Sequence, residues 1–136
     1  MIKFTIPGPP QGKARARTGK GFAYTPENTV VYENLIKIMF LQTKAEMTEK
    51  PVKITINAYY PIPKSATKGK RLAMEYNIIR PTKKPDADNV FKVVADGLNG
   101  LAYKDDTQIV EAKIYKWHST EPRVEVEIEE LREGLE

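Results

Sequence analysis

The sequence predicts an α+β fold, in which a small mixed β-sheet of about four strands packs with two main helices. Apolar and polar residues alternate in four short stretches, as they do along half-buried strands. Two longer stretches instead repeat apolar residues at helical spacing. With 136 residues, 40% of them hydrophobic, the chain is expected to form one domain, residues 1–136, with a substantial hydrophobic core.

The predicted strands are bounded by residues that interrupt regular structure. Residues 2–6 precede a Pro-Gly-Pro-Pro stretch, and residues 52–60 precede two closely spaced prolines. The other two strands are predicted over residues 107–117 and 124–128. His118 then falls in a predicted turn, where we expect a structural or exposed side chain.

The first main helix is predicted from its N-terminal signal and its apolar face. Thr25 is the expected N-cap and Pro26 the first helical residue. The helix is expected to fade near Met47. The side chains predicted to be buried are Tyr32, Leu35, Ile36, Met39 and Phe40.

The second main helix is predicted over residues 89–99, with Asp88 as its N-cap and Gly100 as a left-handed C-terminal cap. Its predicted buried side chains are Val90, Val93, Val94 and Leu98. A short additional helix is predicted within residues 65–76, although Gly69 weakens its helical propensity. Apart from its charge, this segment carries no recognisable signal.

The net charge of +4 conceals an uneven distribution. Residues 1–84 carry 16 Lys/Arg against 5 Asp/Glu, whereas residues 85–136 carry 6 against 13. Such a division is typical of a polyanion-binding half joined to metal ligands, or simply of a solvated acidic face. The absence of cysteine and of long apolar runs predicts a cytoplasmic protein without disulfides or membrane contact.

A loop rich in glycine and basic residues is predicted over residues 11–21. Its cations include Lys13, Arg15 and Arg17. Two interpretations remain open for this segment. It is either a solvated surface loop or a phosphate-contacting arm that gains affinity by releasing counterions from DNA.

Five aspartates fall within residues 86–106: Asp86, Asp88, Asp96, Asp105 and Asp106. On an extended segment, the first two would point to one face about 7 Å apart. The chain after the second helix is long enough to bring one of the last two back to its start. Carboxylate oxygens without cysteine suit Mg²⁺, with Mn²⁺ as a substitute, rather than zinc or copper. Lys92 lies one helical turn after Asp88, on the same face.

Ordinary structural roles compete with that interpretation. Asp88 and Asp86 serve equally well as a helix cap and a turn former, and the later pair suits a turn before a strand. Asp96 opposes the helix dipole in the second half of the helix and needs a partner or solvent. Taken together, beside an excess of Lys/Arg, the acids favour a metal site.

These residues carry a resemblance to a known family. Lys84-Pro85-Asp86-Ala87-Asp88-Asn89, then Lys92, Asp96-Gly97-Leu98-Asn99-Gly100 and Asp105-Asp106-Thr107-Gln108-Ile109-Val110 resemble the signature of the RusA family. These are Holliday junction resolvases, carried mostly by phages and prophages. The basic stretch from Gly12 to Arg17 is similar to the family's opening, except that Ala16 stands where phage members commonly have proline.

The resemblance implies a homodimeric, Mg²⁺-dependent endonuclease that cuts four-way DNA junctions symmetrically. By the same resemblance, Asp86, Asp88 and Asp106 are the catalytic metal ligands, and Lys92 is a further catalytic residue. The expected DNA contacts are Lys13, Arg15, Arg17, Lys83 and Lys84. Two alternatives remain: a metal-free DNA-binding protein whose aspartates are caps and turns, and a nuclease that acts on other branched or duplex DNA.

Overall fold

A computed structural model describes residues 1–14, 17–19, 21, 23–24 and 26–132, with only the backbone described at 17, 18, 23 and 24. Its main sheet contains β1 (Ile2–Pro7), β4 (Val52–Pro61), β5 (Ile109–Ser119) and β6 (Arg123–Glu130). Two short strands, β2 (Arg17–Thr18) and β3 (Ala23–Tyr24), pair with each other outside that sheet. The helices are α1 (Glu27–Leu41), α2 (Lys68–Glu75) and α3 (Ala87–Leu98), and a single 3-10 turn covers Asp106–Gln108. The predicted α+β class is confirmed.

The four main strands lie in the order β1-β6-β4-β5. β6 pairs antiparallel with both β1 and β4, whereas β4 and β5 run parallel. Parallel neighbours require a crossover, and that crossover holds α2, α3 and the 3-10 turn. β5 therefore forms one edge of the sheet, directly after the segment that carries all the aspartates.

One face of the sheet is buried under α1 and α3. Alternate residues of β4 are buried throughout its length, which matches the alternation in its sequence. β1 and β6 contribute to the same face. The largest fully buried side chains of this core are Tyr60, Tyr103, Phe40, Ile6, Ile36, Ile54, Ile56 and Leu98. Within the described residues, no helix has the length and apolar character needed to cross a bilayer.

The predicted bounds of α1 were wrong at its C-terminus. The helix ends at Leu41 rather than near Met47, because the Thr43 hydroxyl donates to the Phe40 carbonyl and Lys44 adopts a positive φ of 59°. Pro26 occupies the N-cap position, one residue before the helix proper. The predicted cap, Thr25, lies outside the described residues.

Two further predictions, for the start of α3 and for His118, were wrong, and one, for Gly100, is confirmed. The helix predicted from residue 89 begins at Ala87, with Asp86 rather than Asp88 as its N-cap. His118 lies within β5, buried, rather than in a turn, and its Nδ1 is 3.4 Å from the Pro61 carbonyl oxygen. Burial lowers the pKa of this imidazole, although the carbonyl contact acts in the opposite direction. Gly100 has the predicted positive φ, 76°.

α1 and α3 pack closely at Gly97. A Cβ atom there would lie 3.2–3.3 Å from three side-chain atoms of Ile36. We expect Gly97→Ala to destabilise the fold by about 1–3 kcal/mol through overpacking, measured as the free energy of unfolding in urea. Gly69→Ala, in α2, is the matched control. The added methyl group has no neighbouring atom within 4 Å, and alanine has the higher helix propensity, so we expect this substitution to be neutral or slightly stabilising. Equal stability of the two variants would contradict the tight packing at Gly97.

Candidate active site

The solvent-facing side of α3 forms one wall of a concavity of about 510 Å³. Asp88, Lys92 and Asp96 are spaced four residues apart on this face, and all three line the concavity. The opposite face of α3 is buried in the core. The helix is therefore held so that these three polar side chains face solvent together. The remaining lining residues are Phe91, Ala95, Asp106, Ile109 and Ala112.

Asp106 reaches this concavity from the turn that leads into β5. Gln108 holds that turn: its Oε1 accepts a hydrogen bond of 2.9 Å from the Asp105 backbone N–H. Its Nε2 donates to the Thr48 and Lys50 carbonyl oxygens, both at 2.9 Å. The side-chain amide of Gln108 thus ties the aspartate pair to the segment that enters β4. We infer that Gln108 fixes the position from which Asp106 faces α3.

The acids around Asp106 disfavour its charged form. A hydrogen bond with the Asp105 carboxyl group raises the pKa of Asp106, and repulsion from Asp105 and Asp96 adds to the effect. Asp106 and Asp96 also act on Tyr103, whose pKa is raised chiefly by burial. The Tyr103 hydroxyl donates to the Ala95 carbonyl at 2.6 Å, which joins this turn region to α3. The site thus concentrates negative charge that a cation would relieve.

Asp86 occupies a different position from the one predicted. Its Oδ1 accepts a hydrogen bond of 3.0 Å from the Asn89 backbone N–H, as an N-cap does. Because α3 already begins at Ala87, Asp86 and Asp88 are not on an extended strand and do not share a face. Asp86 lines a second concavity of about 350 Å³, together with Lys84 and Asn89. The predicted extended geometry was therefore wrong.

The buried Tyr60 and the partly covered Lys116 lie near Asp86. The Tyr60 hydroxyl donates to the Pro85 carbonyl, and burial, with a smaller contribution from Asp86, raises the pKa of Tyr60 to about 12. Burial lowers the pKa of Lys116, while Asp86 partly opposes that effect. Lys116 Nζ donates to the Lys83 carbonyl at 2.8 Å. These contacts fix the chain immediately before the helix.

Lys13 is paired with acids rather than free for phosphate. Its Nζ lies 3.2 Å from Glu33 Oε2 and 3.2 Å from Asp96 Oδ2. Burial works against the charged ammonium group, but the hydrogen bonds to Asp96 and Glu33 outweigh it and raise the pKa of Lys13. Its backbone N–H donates to the Asn89 carbonyl at 3.1 Å. Lys13 thereby joins the N-terminal loop, α1 and α3, and it supplies the partner that Asp96 was expected to need.

The other predicted DNA contacts have different positions. Lys83 and Lys84 are exposed, and Lys84 lines the second concavity with Asp86. Arg15 lies outside the described residues, and only the backbone of Arg17 is described. Gly12 packs closely on the start of α3, because a Cβ atom there would meet Pro85 Cβ and Asn89 Cβ at 3.0 Å. The basic loop thus begins directly at the candidate site.

The donor chemistry of the site fits a hard divalent cation. Asp88, Asp96 and Asp106 offer carboxylate oxygens to one concavity, and such donors suit Mg²⁺ or Mn²⁺. Within the part of the chain that the structure describes, no three His, Cys, Asp or Glu side chains are grouped closely enough to hold a metal. A shared ion therefore requires these side chains to turn toward one another.

Sequence reasoning missed the positions of two residues. The structural role of Gln108 was readable as a capping box, since it lies three residues after Asp105, but its carbonyl partners are about 60 residues away. The pairing of Lys13 with Asp96 had no sequence signal, because it depends on how the loop packs against α3. Lys92 lines the concavity beside Asp88, as its spacing predicted.

Comparisons with known proteins agree with this architecture. The family model described as Endodeoxyribonuclease RusA matches residues 7–129. The chain is also similar to a protein of Bacillus subtilis (strain 168) described as uncharacterized protein YqaN, with 41% identity over 137 residues. That alignment covers 96% of this chain and 96% of the relative. The matched span contains β4, β5, all three helices and every candidate site residue, so the chain belongs to the RusA family of endodeoxyribonucleases.

Proposed function

We propose that this protein is a Mg²⁺-dependent endodeoxyribonuclease that resolves four-way DNA junctions by hydrolysing phosphodiester bonds at symmetric positions. One observation carries the proposal: Asp88 and Lys92 on α3, and Asp106 in the turn before β5, line the same concavity. Membership of a deoxyribonuclease family supports the substrate class. Action on four-way junctions rests on that family alone.

Asp86, Asp88 and Asp106 are the proposed ligands of the divalent ion. Asp88 and Asp106 line the same concavity. Asp86 uses one carboxylate oxygen as a helix cap, which leaves its second oxygen available. When bound, such an ion supplies a more acidic water and neutralises charge on the phosphate.

Lys92 is the proposed cationic partner of the reacting phosphate. Its ammonium group is one helical turn from Asp88 and exposed at the concavity. A fixed positive charge there stabilises the additional negative charge that develops on the phosphate and on the leaving oxygen. Asp96 and Lys13 form an ion pair, so we assign Asp96 to holding the arrangement rather than to the reaction.

DNA approaches this site along basic residues. Lys83 and Lys84 are exposed beside Asp86, and Arg15 and Arg17 follow Gly12 in the N-terminal loop. Such residues bind the DNA backbone without reading its sequence. Symmetric cutting further requires two equivalent sites, which a two-fold homodimer provides; the dimer is part of the proposal.

A second candidate is a DNA-binding protein without metal chemistry. The N-cap role of Asp86 favours it, as does the absence, among the described residues, of three closely grouped ligands. A nuclease acting on other branched or duplex DNA is distinguished only by its substrates. Cleavage of a four-way junction compared with linear duplex, with and without Mg²⁺, separates all three.

Asp88→Asn is expected to abolish cleavage while junction binding is retained. The substitution keeps the size of the side chain but removes the charge that would hold the ion, so we expect the cleavage rate to fall at least about 100-fold. Gel-based cleavage and binding assays on the same junction measure the two effects. Glu121→Gln, on the exposed β5–β6 turn, is the matched control. Wild-type cleavage by Asp88→Asn would exclude this residue from the reaction.

Asp86→Asn separates the capping and ligand roles of one side chain. Asparagine caps helices as well as aspartate does, so we expect unchanged thermal stability but weaker binding of Mn²⁺ in calorimetry. An Asp88→Asn/Asp106→Asn double variant is expected to lose that binding altogether. If Asp86→Asn binds Mn²⁺ as the wild type does, Asp86 is a cap only.

Gln108 is a proposed positioning residue. Gln108→Leu removes the three hydrogen bonds of its side chain, and we expect kcat and Mn²⁺ affinity to fall about 10- to 100-fold while junction affinity is unchanged. Gln42→Leu, at the exposed end of α1, is the control for an added leucine. A lower melting temperature with an unchanged kcat would indicate a purely structural role for Gln108.

A further inference from the structure

Residues 64–84, which we name the α2 arm, are strongly basic. They contain seven Lys/Arg and one acid, a net charge of +6. Among the residues that the structure describes, none of the seven belongs to an ion pair. Lys68, Lys70 and Arg71 crowd the first half of α2, whose first turn contains no acid. Positive charge at that end opposes the helix dipole, so helix stability does not explain these residues.

Core packing does not explain the arm either. α2 contains no buried residue, and Lys64, Lys68 and Lys70 are all exposed. The helix contacts the rest of the molecule mainly through β5, with Ala73 and Met74 only partly covered. Its cations therefore point into solvent, unpaired, from an element that contributes little to the core.

The end of the arm is nevertheless firmly attached to β5. The Arg80 guanidinium lies 3.6 Å from the centre of the Trp117 ring, and its Nε donates to the Lys116 carbonyl at 2.6 Å. Trp117 is held in turn by a 2.8 Å hydrogen bond to Asn57 Oδ1. Together with the bond from Lys116 Nζ to the Lys83 carbonyl, these contacts set the arm at a fixed position beside the start of α3.

We propose that the α2 arm binds the phosphates of a duplex DNA segment flanking the cleaved phosphate. This inference rests on the proposed function and deepens it, since it extends the DNA contact surface from Lys83 and Lys84 to the rest of the arm. A net charge of +6 without ion-pair partners, on a segment whose end is fixed beside the start of α3, is complementary to a polyanion, and each phosphate contact gains free energy through counterion release.

Exposed apolar side chains on the same arm favour a different ligand, a protein partner. Leu72, Tyr76 and Ile78 are 47%, 74% and 76% exposed, and a protein partner would use such residues. Seven cations against one acid outweigh three apolar side chains, because a protein partner would have to be unusually acidic to match them. The charge favours DNA.

The test compares two triple variants that lower the net charge equally. Lys64→Gln/Lys68→Gln/Lys70→Gln alters the arm, and Lys3→Gln/Lys37→Gln/Lys44→Gln alters exposed residues on β1, on α1 and after α1. Binding of a four-way junction and of linear duplex is measured in EDTA over a range of salt concentrations. We expect the arm variant to lose about 10-fold or more in affinity at low salt and its salt slope to fall by about 2.7. The control should change little, and kcat at saturating DNA should be unchanged in both.

Each outcome is decisive. Equal losses of DNA affinity in the two variants would mean that only the net charge of the protein matters. No loss of DNA affinity in either variant would indicate that the arm binds a protein partner instead. Both outcomes overturn the inference. Wild-type protein that binds DNA through the arm without cleaving it would refute the proposed nuclease, and of the inference only DNA binding by the arm would stand. Wild-type protein that binds no DNA would refute both.

Discussion

The one-sided burial of α3 determines the geometry of the whole candidate site. Val93, Val94 and Leu98 are fully buried against the sheet and α1. Gly97, which has no side chain, leaves room for Ile36 of α1 to pack closely against α3. Because a helix is rigid and repeats every 3.6 residues, fixing that face also fixes the opposite one. The polar side chains four residues apart on α3 are therefore aligned by hydrophobic packing rather than by their own contacts.

Charge balance is the second constraint, and Lys13 is central to it. Its ammonium group lies between Glu33 and Asp96, so one cation holds acids from α1 and α3 together. Both acids are partly covered, and removing the lysine would leave them facing each other without compensation. The ion pair, together with the hydrogen bond from the Lys13 N–H to the Asn89 carbonyl, also holds this part of the N-terminal loop against α3.

Local signals predicted the secondary structure well, and tertiary contacts account for most of what they missed. The alternation in β4 and the apolar face of α3 are properties of single elements, so both can be predicted from the local sequence. The predicted start of α3 was wrong because Asp86 caps a helix as well as Asp88 does; the hydrogen bond from the Asn89 N–H identifies Asp86 as the cap. The early end of α1 depends on a hydroxyl contact after Leu41.

The carboxylates of the candidate site repel one another. A hydrogen bond with the Asp105 carboxyl group raises the pKa of Asp106, and repulsion from Asp105 and Asp96 adds to the effect. Gln108 and the packed face of α3 hold the backbone in place at these acids. The proposed ion would offset their mutual repulsion, whereas acids crowded together without a cation would oppose folding. In the proposed site Asp86 offers the ion only its second oxygen, because the first accepts the capping hydrogen bond from the Asn89 N–H.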